Sequence, residues 1–392
     1  MRLELLLHLL ALGATVLAAW TPAQESDAAK QLDVMAQKAL NATLALLDSD
    51  VAAAKAAGLT PNCTREKLRY RIEFGSMAKE DRKAYTSAVL CLQSKPGLTP
   101  KSVSDGARSR FDDFVVTHIY QTPYVHNSGT FLGWHRWYLW VYETALRSEC
   151  NYTGLIPYWD WSKYAPSPQT SPLFNGDEYS ISGNGKLIAN HAGAMGGFIP
   201  AGLGGGCVET GPFKNMTVNL GPIGMQPVGP SNGLGYNPRC LKRDVGPTVA
   251  TQNTNYTSVM AVMKMTTIAN FQDLVQSGGA APNGPMGIHG GGHYTISGDP
   301  GGDFYVSPGD PAFYLHHGQI DRLWTIWQMQ DSTRQYAIAG TNTMNNYPPS
   351  ANTQLTDVMN AGYAGGPNVT VHDVLSTVRG SFCFVYSRSP LS

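Results

Sequence analysis

The pentapeptide His289-Gly290-Gly291-Gly292-His293 constrains the fold of this chain more than any other stretch. Histidines four residues apart project from one face of a helix, where both imidazoles can grip one metal ion from adjacent turns. The glycines between them oppose that helix, since each costs roughly 1 kcal/mol relative to alanine in a helix interior. Such a segment needs an outside partner. A metal held by both rings would serve, and glycine also leaves room for a ligand beside the ion.

A second histidine pair follows. Asp310 suits an N-cap and Pro311 a first helical residue, and the predicted helix then carries His316-His317 and the apolar Leu323, Trp324 and Trp327. An earlier block repeats the pattern. A helix capped by Ser104 or Asp105 is predicted to run to about Tyr120 with His118 on its inner side; Pro123 ends it, His126 falls on the loop, and His135 opens an aromatic-rich helix through Leu146. A lone histidine on an apolar helix is usually buried and hydrogen-bonded. Three of them within 18 residues, matched by a second set downstream, point instead to coordination. Imidazoles in two trios, with no cysteine or carboxylate at ligand spacing, suit zinc or copper, and spacing alone does not choose between the metals.

Residues 1–19 read as a secretory signal peptide, because Arg2 precedes a short leucine-rich run ending in Ala18-Ala19. Export agrees with the even set of cysteines at 63, 91, 150, 207, 240 and 383, whose pairing cannot be read from spacing. It also agrees with sequons at Asn41, Asn62, Asn151, Asn215, Asn255 and Asn368, which would place those positions at the surface if occupied. Charged residues make up only 14% and the net charge is zero, so neither nucleic acid nor a membrane surface is indicated. A small neutral molecule is the expected partner.

The remaining segments read as scaffold. An alanine-rich helix from Ala28 to Ala57, within an N-terminal extension over residues 20–60, is expected to pack loosely, and another helix runs from Lys79 to Gln93. Arg65, Arg69 and Arg71 are expected to be solvated or paired with carboxylates. Trp159, Asp160 and Trp161 should close the core, and the Gly/Pro/Asn-rich tract beyond them is long loop in which His191 has no assigned role. His372 reads as structural, and the segment after Asn368 as a short strand or a cover for a helix.

The order His118, His126 and His135 within FLGWHRWYLWVYE, then His289, His293 and DPAFYLHHGQIDRLW, resembles the type-3 dicopper proteins: tyrosinases, catechol oxidases and molluscan haemocyanins. The likeness runs from about residue 60 onward and is greatest to the short secreted fungal catechol oxidases. It implies a mainly α fold in which four helices enclose two copper ions, within a catalytic domain over residues 61–392. It also implies one copper on His118, His126 and His135 and the other on His289, His293 and His317, with His316 supporting the site without binding. O2 is then the co-substrate and small phenols the substrates. Phe384 and Tyr386 resemble the Tyr-x-Tyr end of the family core, and no C-terminal shielding domain is expected.

Departures from the family pattern bear on activity. Tyr124 stands where many members carry a cysteine bonded to the second copper-A histidine. Gly290 stands where phenol-hydroxylating members often have asparagine, and glycine offers no side chain to orient a base. Tyr294 and Phe304 fall at the bulky and gating positions of the pocket. Oxidation of catechols, and of o-aminophenols, is therefore expected to outrun hydroxylation of monophenols. A full tyrosinase activity is the alternative, and a haemocyanin-like oxygen carrier a further one. A zinc hydrolase would lack a glutamate between the two histidines. Asp321, one turn after His317, is either a carboxylate partner of a ligating imidazole or one half of a salt bridge with Arg322 or another arginine.

Overall fold

The structure, a computed structural model, describes residues 20–276 and 286–388; the expected signal peptide lies outside them. In chain order the helices are α1 (Pro22–Ala56), α2 (Lys79–Ser94), α3 (Arg110–Val125), α4 (Phe131–Cys150), the single turn α5 (Trp161–Tyr164), α6 (Pro247–Asn253), α7 (Tyr256–Met263), α8 (Ile268–Gln276), α9 (Gly287–Ile296) and α10 (Ala312–Gln328). The strands are short: β1 (Arg69–Arg71), β2 (Gly185–Leu187), β3 (Gly205–Val208), β4 (Thr217–Val218), β5 (Arg239–Cys240), β6 (Val358–Met359), β7 (Val369–Thr370) and β8 (Phe384–Tyr386). They join in pairs. β1 lies parallel to β8, while β2 with β3, β4 with β5 and β6 with β7 are antiparallel. The fold is mainly α, as expected.

Every residue of α10 is buried, the behaviour of a helix enclosed on all sides, and α1, α4 and α9 all pack on it. Its start is held by Asp310, which accepts from the Ala312 amide at 2.9 Å and pairs through both oxygens with buried Arg243 at 2.7 and 2.8 Å. Helix α3 begins later than the sequence signals placed it. Ser109, not Ser104 or Asp105, is its N-cap, because Asp112 three residues on completes the reciprocal capping box. Pro123 is accommodated in its last turn, and the chain becomes extended at His126 (φ −120°, ψ 145°).

Helix α1 does not pack loosely. Ala28, Leu32, Ala36 and Ala39 join the main hydrophobic core, since small side chains let the backbone approach α7 and α10 closely. Glu25 further ties it to the N-terminus of α7 by accepting from the amides of Tyr256 and Thr257 at 2.8 and 3.1 Å. Trp159 and Trp161 are fully buried, as expected.

All six cysteines pair, as Cys63–Cys383, Cys91–Cys150 and Cys207–Cys240. Among the sequon asparagines Asn255 is buried, unlike a position that carries a glycan. It is 6% exposed, and its side chain caps α7 by accepting from the Ser258 amide at 2.7 Å.

Candidate metal centre

Six histidines on or beside α3, α4, α9 and α10 converge in two groups. In the first, His118 projects from α3, His126 closes its C-terminus and His135 projects from the first turns of α4, with ring centroids 5.0 to 5.9 Å apart. Each ring is oriented by a backbone carbonyl. Nδ1 of His118 lies 2.8 Å from the Tyr305 oxygen, that of His126 3.2 Å from Thr122, and that of His135 2.7 Å from Phe131. A carbonyl only accepts, so each Nδ1 carries the hydrogen and each Nε2 presents its lone pair to the centre.

In the second group, Nε2 of His293 lies 3.1 Å from Nε2 of His289 and 3.3 Å from Nε2 of His317. Imidazole nitrogens about 2.0–2.1 Å from one tetrahedral ion would be separated by about 3.3 Å. His316 also falls within reach of this group. Its ring leans on Trp161 and His289, with centroids 5.1 and 5.6 Å away, and makes no well-formed hydrogen bond; burial holds its pKa well below the usual value.

The two groups face one another. The rings of His135 and His317 stack with centroids 4.3 Å apart and 8° between planes, and Phe313 lies between the groups, 5.3 Å from His118 and 5.7 Å from His293. Sequence reasoning missed Phe313, although its position four residues before His317 puts the two on one helical face.

The glycines of α9 have separate tasks. A Cβ on Gly291 would stand 2.5 Å from Cβ of Asn253, and one on Gly292 would stand 2.2 Å from the His316 ring. These two permit close packing of α9 on α6 and α10 and leave no room for a ligand, contrary to expectation. Gly290 alone of the three faces the cleft, where a Cβ would meet Met286 at 3.1 Å.

The donor set fits metal ions. Burial holds the rings neutral: the pKa of His118 falls to about 4 and that of His293 to about 3, while those of His126, His135, His289 and His317 lie well below the usual value. Nε2 of His118 and of His135 is buried without a hydrogen-bond partner, a costly state for a polar atom unless a ligand completes it. Neutral nitrogen donors crowded around a common point are what a soft or borderline cation requires.

Above the rings opens a cleft of about 240 Å³, walled by Met195, Phe198, Ile199, Met286, Tyr294 and Phe304 as well as the glycine of α9. Phe304 covers His126 at 4.6 Å between centroids, and the Tyr294 hydroxyl reaches Sδ of Met195 at 3.2 Å. The Met195–Ile199 rim lies in the glycine-rich tract and had no sequence signal. Tyr124 is half exposed, and with all cysteines in disulfides no thioether to a histidine forms.

Of the two roles open to Asp321, the salt bridge with another arginine is the one found. Its carboxylate accepts from Nε of Arg136 at 2.6 Å, Nη1 of Arg71 at 3.4 Å and the Tyr386 hydroxyl at 2.5 Å, so it anchors the far side of α10 rather than an imidazole. Its arginines are not the neighbouring Arg322. Arg71 also reaches Glu143, and all four charged side chains are essentially buried. His191, which had no assigned role, lies 2.8 Å from Asp244. His372 stacks on Tyr336, consistent with a structural role.

Comparison with known proteins returns one family. Residues 108–330 match the common central domain of tyrosinase. The chain is 38% identical to Tyrosinase P of Aspergillus terreus, over 83% of this chain and 94% of that one. It is 36% identical to an N-acetyl-6-hydroxytryptophan oxidase of Emericella nidulans, over 83% and 93%. A solved polyphenol oxidase from Thermothelomyces thermophila, a glycine-to-asparagine variant, superposes with a TM-score of 0.84 at 47% identity, covering 94% of this chain and 99% of that one.

Proposed function

The chain belongs to the tyrosinase family of dicopper oxidoreductases, and from that premise we propose that it oxidises o-diphenols, and also o-aminophenols, to the corresponding quinonoid products with O2, while hydroxylating monophenols slowly. The observation that carries this reading is the bare cleft wall at Gly290, one residue beyond His289.

In this reading His118, His126 and His135 hold one copper and His289, His293 and His317 the other. Bound copper supplies the two-electron exchange between the diphenol and O2. The chain's own residues do the rest. Carbonyls of Tyr305, Thr122 and Phe131 aim the first three lone pairs, and the close packing at Gly291 and Gly292 sets α9 against α10. His316 fills the space behind Gly292 as a supporting residue. Phe304 and Tyr294 confine the phenol ring against an apolar wall.

A monophenol, with a pKa of about 10, must lose its proton before its oxygen can bind a metal, and this requires a base or a water held close by. Gly290 has no side chain to hold one. The Asp303 carboxylate at the cleft is already engaged by the amides of Ile223, Gly224 and Tyr305 at 2.8 to 2.9 Å. The relatives' names span different hydroxylated aromatics, so the preferred phenol is not carried over from them.

The test is oxygen uptake by the copper-loaded protein on a matched catechol, o-aminophenol and monophenol. Rapid uptake on the first two with slow, lagging uptake on the third is expected. Equal, lag-free rates on monophenol and catechol would overturn the role given to Gly290, and reversible O2 binding without turnover would point to a carrier. Export is part of the same reading, supported by the complete use of the cysteines in disulfides. Among the described residues no helix is long and apolar enough to cross a membrane.

A further inference from the structure

One rim of the cleft is a loop whose tip, residues 194–199, brings Met195, Phe198 and Ile199 to the opening. Met195 and Phe198 are 65% and 62% exposed, an unusual placement for two large apolar side chains beside a cleft. At the tip itself the contacts are few: Ile199 is buried and the Tyr294 hydroxyl reaches Sδ of Met195 at 3.2 Å, but a Cβ on Gly196 or Gly197 would meet no atom within 4 Å. The fastening is at the base. Asp244 accepts from the amides of Gly202 and Gly204 at 2.9 and 3.0 Å and from Nε2 of His191 at 2.8 Å, while Nδ1 of His191 lies 2.6 Å from the Ile188 carbonyl.

Both partners of the His191 ring are acceptors, so both ring nitrogens must donate, and the geometry is that of an imidazolium. The hydrogen bond to Asp244, and then that to Ile188, holds its pKa above the ordinary histidine value. On the neighbouring segments Arg243 is committed to Asp310 and Lys186 pairs with Glu209; neither these nor Lys242 acts on the ring, which leaves Asp244 as its charged partner.

We propose that His191 and Asp244 are positioning residues for substrate recognition, and that their charged pair holds the 194–199 tip over the cleft, where it selects phenols with bulky uncharged substituents. This rests on the cleft being the phenol site. The chemistry of the wall supports the class of substrate, because among the described residues that line it Asp303 is engaged with backbone amides and there is no lysine or arginine to pair with an acidic substituent.

A clamp that needs the charged ring is present at acidic and neutral pH and is lost as pH rises through the raised pKa of His191. The test uses the full-length copper-loaded protein with catechol and 4-tert-butylcatechol. His191→Ala should raise KM for 4-tert-butylcatechol about tenfold, the loss of one charge-assisted hydrogen bond, while kcat and KM for catechol change little. In the unaltered protein the ratio of the two KM values should climb with pH. In His191→Gln, whose amide offers Asp244 a donor that does not titrate, the ratio should be flat. Chymotryptic cleavage after Phe198, followed with and without copper, should accelerate in His191→Ala and at alkaline pH. If both catechols are oxidised but neither the ratio nor the cleavage rate responds to pH or to either substitution, the clamp is refuted and the oxidase reading stands. If the unaltered protein oxidises neither substrate, the oxidase reading fails and the clamp's role in recognition fails with it.

Discussion

The two histidine groups differ in how completely the protein presets them. In the first, two long helices present rings whose Nδ1 atoms are all fixed on carbonyls, so the donor set exists before any metal arrives. In the second, a ten-residue helix with three central glycines brings Nε2 atoms to 3.1 and 3.3 Å of one another, and Nδ1 of His317 has no partner among the described residues. Lone pairs at that separation repel unless a cation lies between them. The difference teaches that a rigid half and a metal-dependent half can form one centre.

The largest expected effect treats both halves alike. His118→Ala and His293→Ala should each abolish oxidase activity, by more than about 100-fold if turnover requires both ions, with metal content per chain falling in step. Metal analysis that finds both ions retained in either variant would break the ligand assignment. Asp321→Asn comes next. Removing one charge from the buried network leaves Arg71 and Arg136 undercompensated and should cost about 3 kcal/mol in denaturant unfolding.

The metal-free variants separate the halves. Without copper, His118→Ala should lose about 2 kcal/mol, since it empties a buried site and strands the Tyr305 carbonyl, whereas His293→Ala should lose less, because relief of the crowded Nε2 atoms offsets the lost hydrogen bond to the Gly301 backbone. Equal losses would erase the distinction. Chelation should likewise speed amide exchange in α9 more than in α3 or α4. The last two tests fall on glycines, and Gly290→Asn is the smallest effect on stability. Gly292→Ala collides with the His316 ring and should cost about 1–3 kcal/mol. Gly290→Asn should fold with little loss once Met286 gives way, and it should raise the ratio of monophenol to catechol turnover.

What the sequence made legible was local. The helices bearing His118, His135 and His317 announced themselves through prolines and aromatic spacing, and the one bearing His289 and His293 only through the spacing of its two histidines. Ser109 was overlooked because Ser104 and Asp105 also satisfy the cap in isolation, and only the partner at Asp112 decides among them. The Asp321 network was not legible, since its members lie 185 and 250 residues away in the chain. Nor was the role of His191. A glycine-rich tract has no periodicity from which to infer that Asp244 folds back against it.

The parallel pairing of β1 with β8 has a consequence for biosynthesis. Arg69, Tyr70 and Arg71 align with Phe384, Val385 and Tyr386, and from this pair Arg71 and Tyr386 both reach Asp321 on α10. On the ribosome, β1 is made early and waits without its partner until residue 386 has left the exit tunnel. A nascent chain can therefore form α3 and α4 as they emerge and pair Arg136 with Asp321, yet the ion network beneath α10 is complete only when Tyr386 joins it. The helix that carries His317 is thus fully tied down only after that strand is made, when the surrounding compartment rather than the ribosome decides which cation the centre meets.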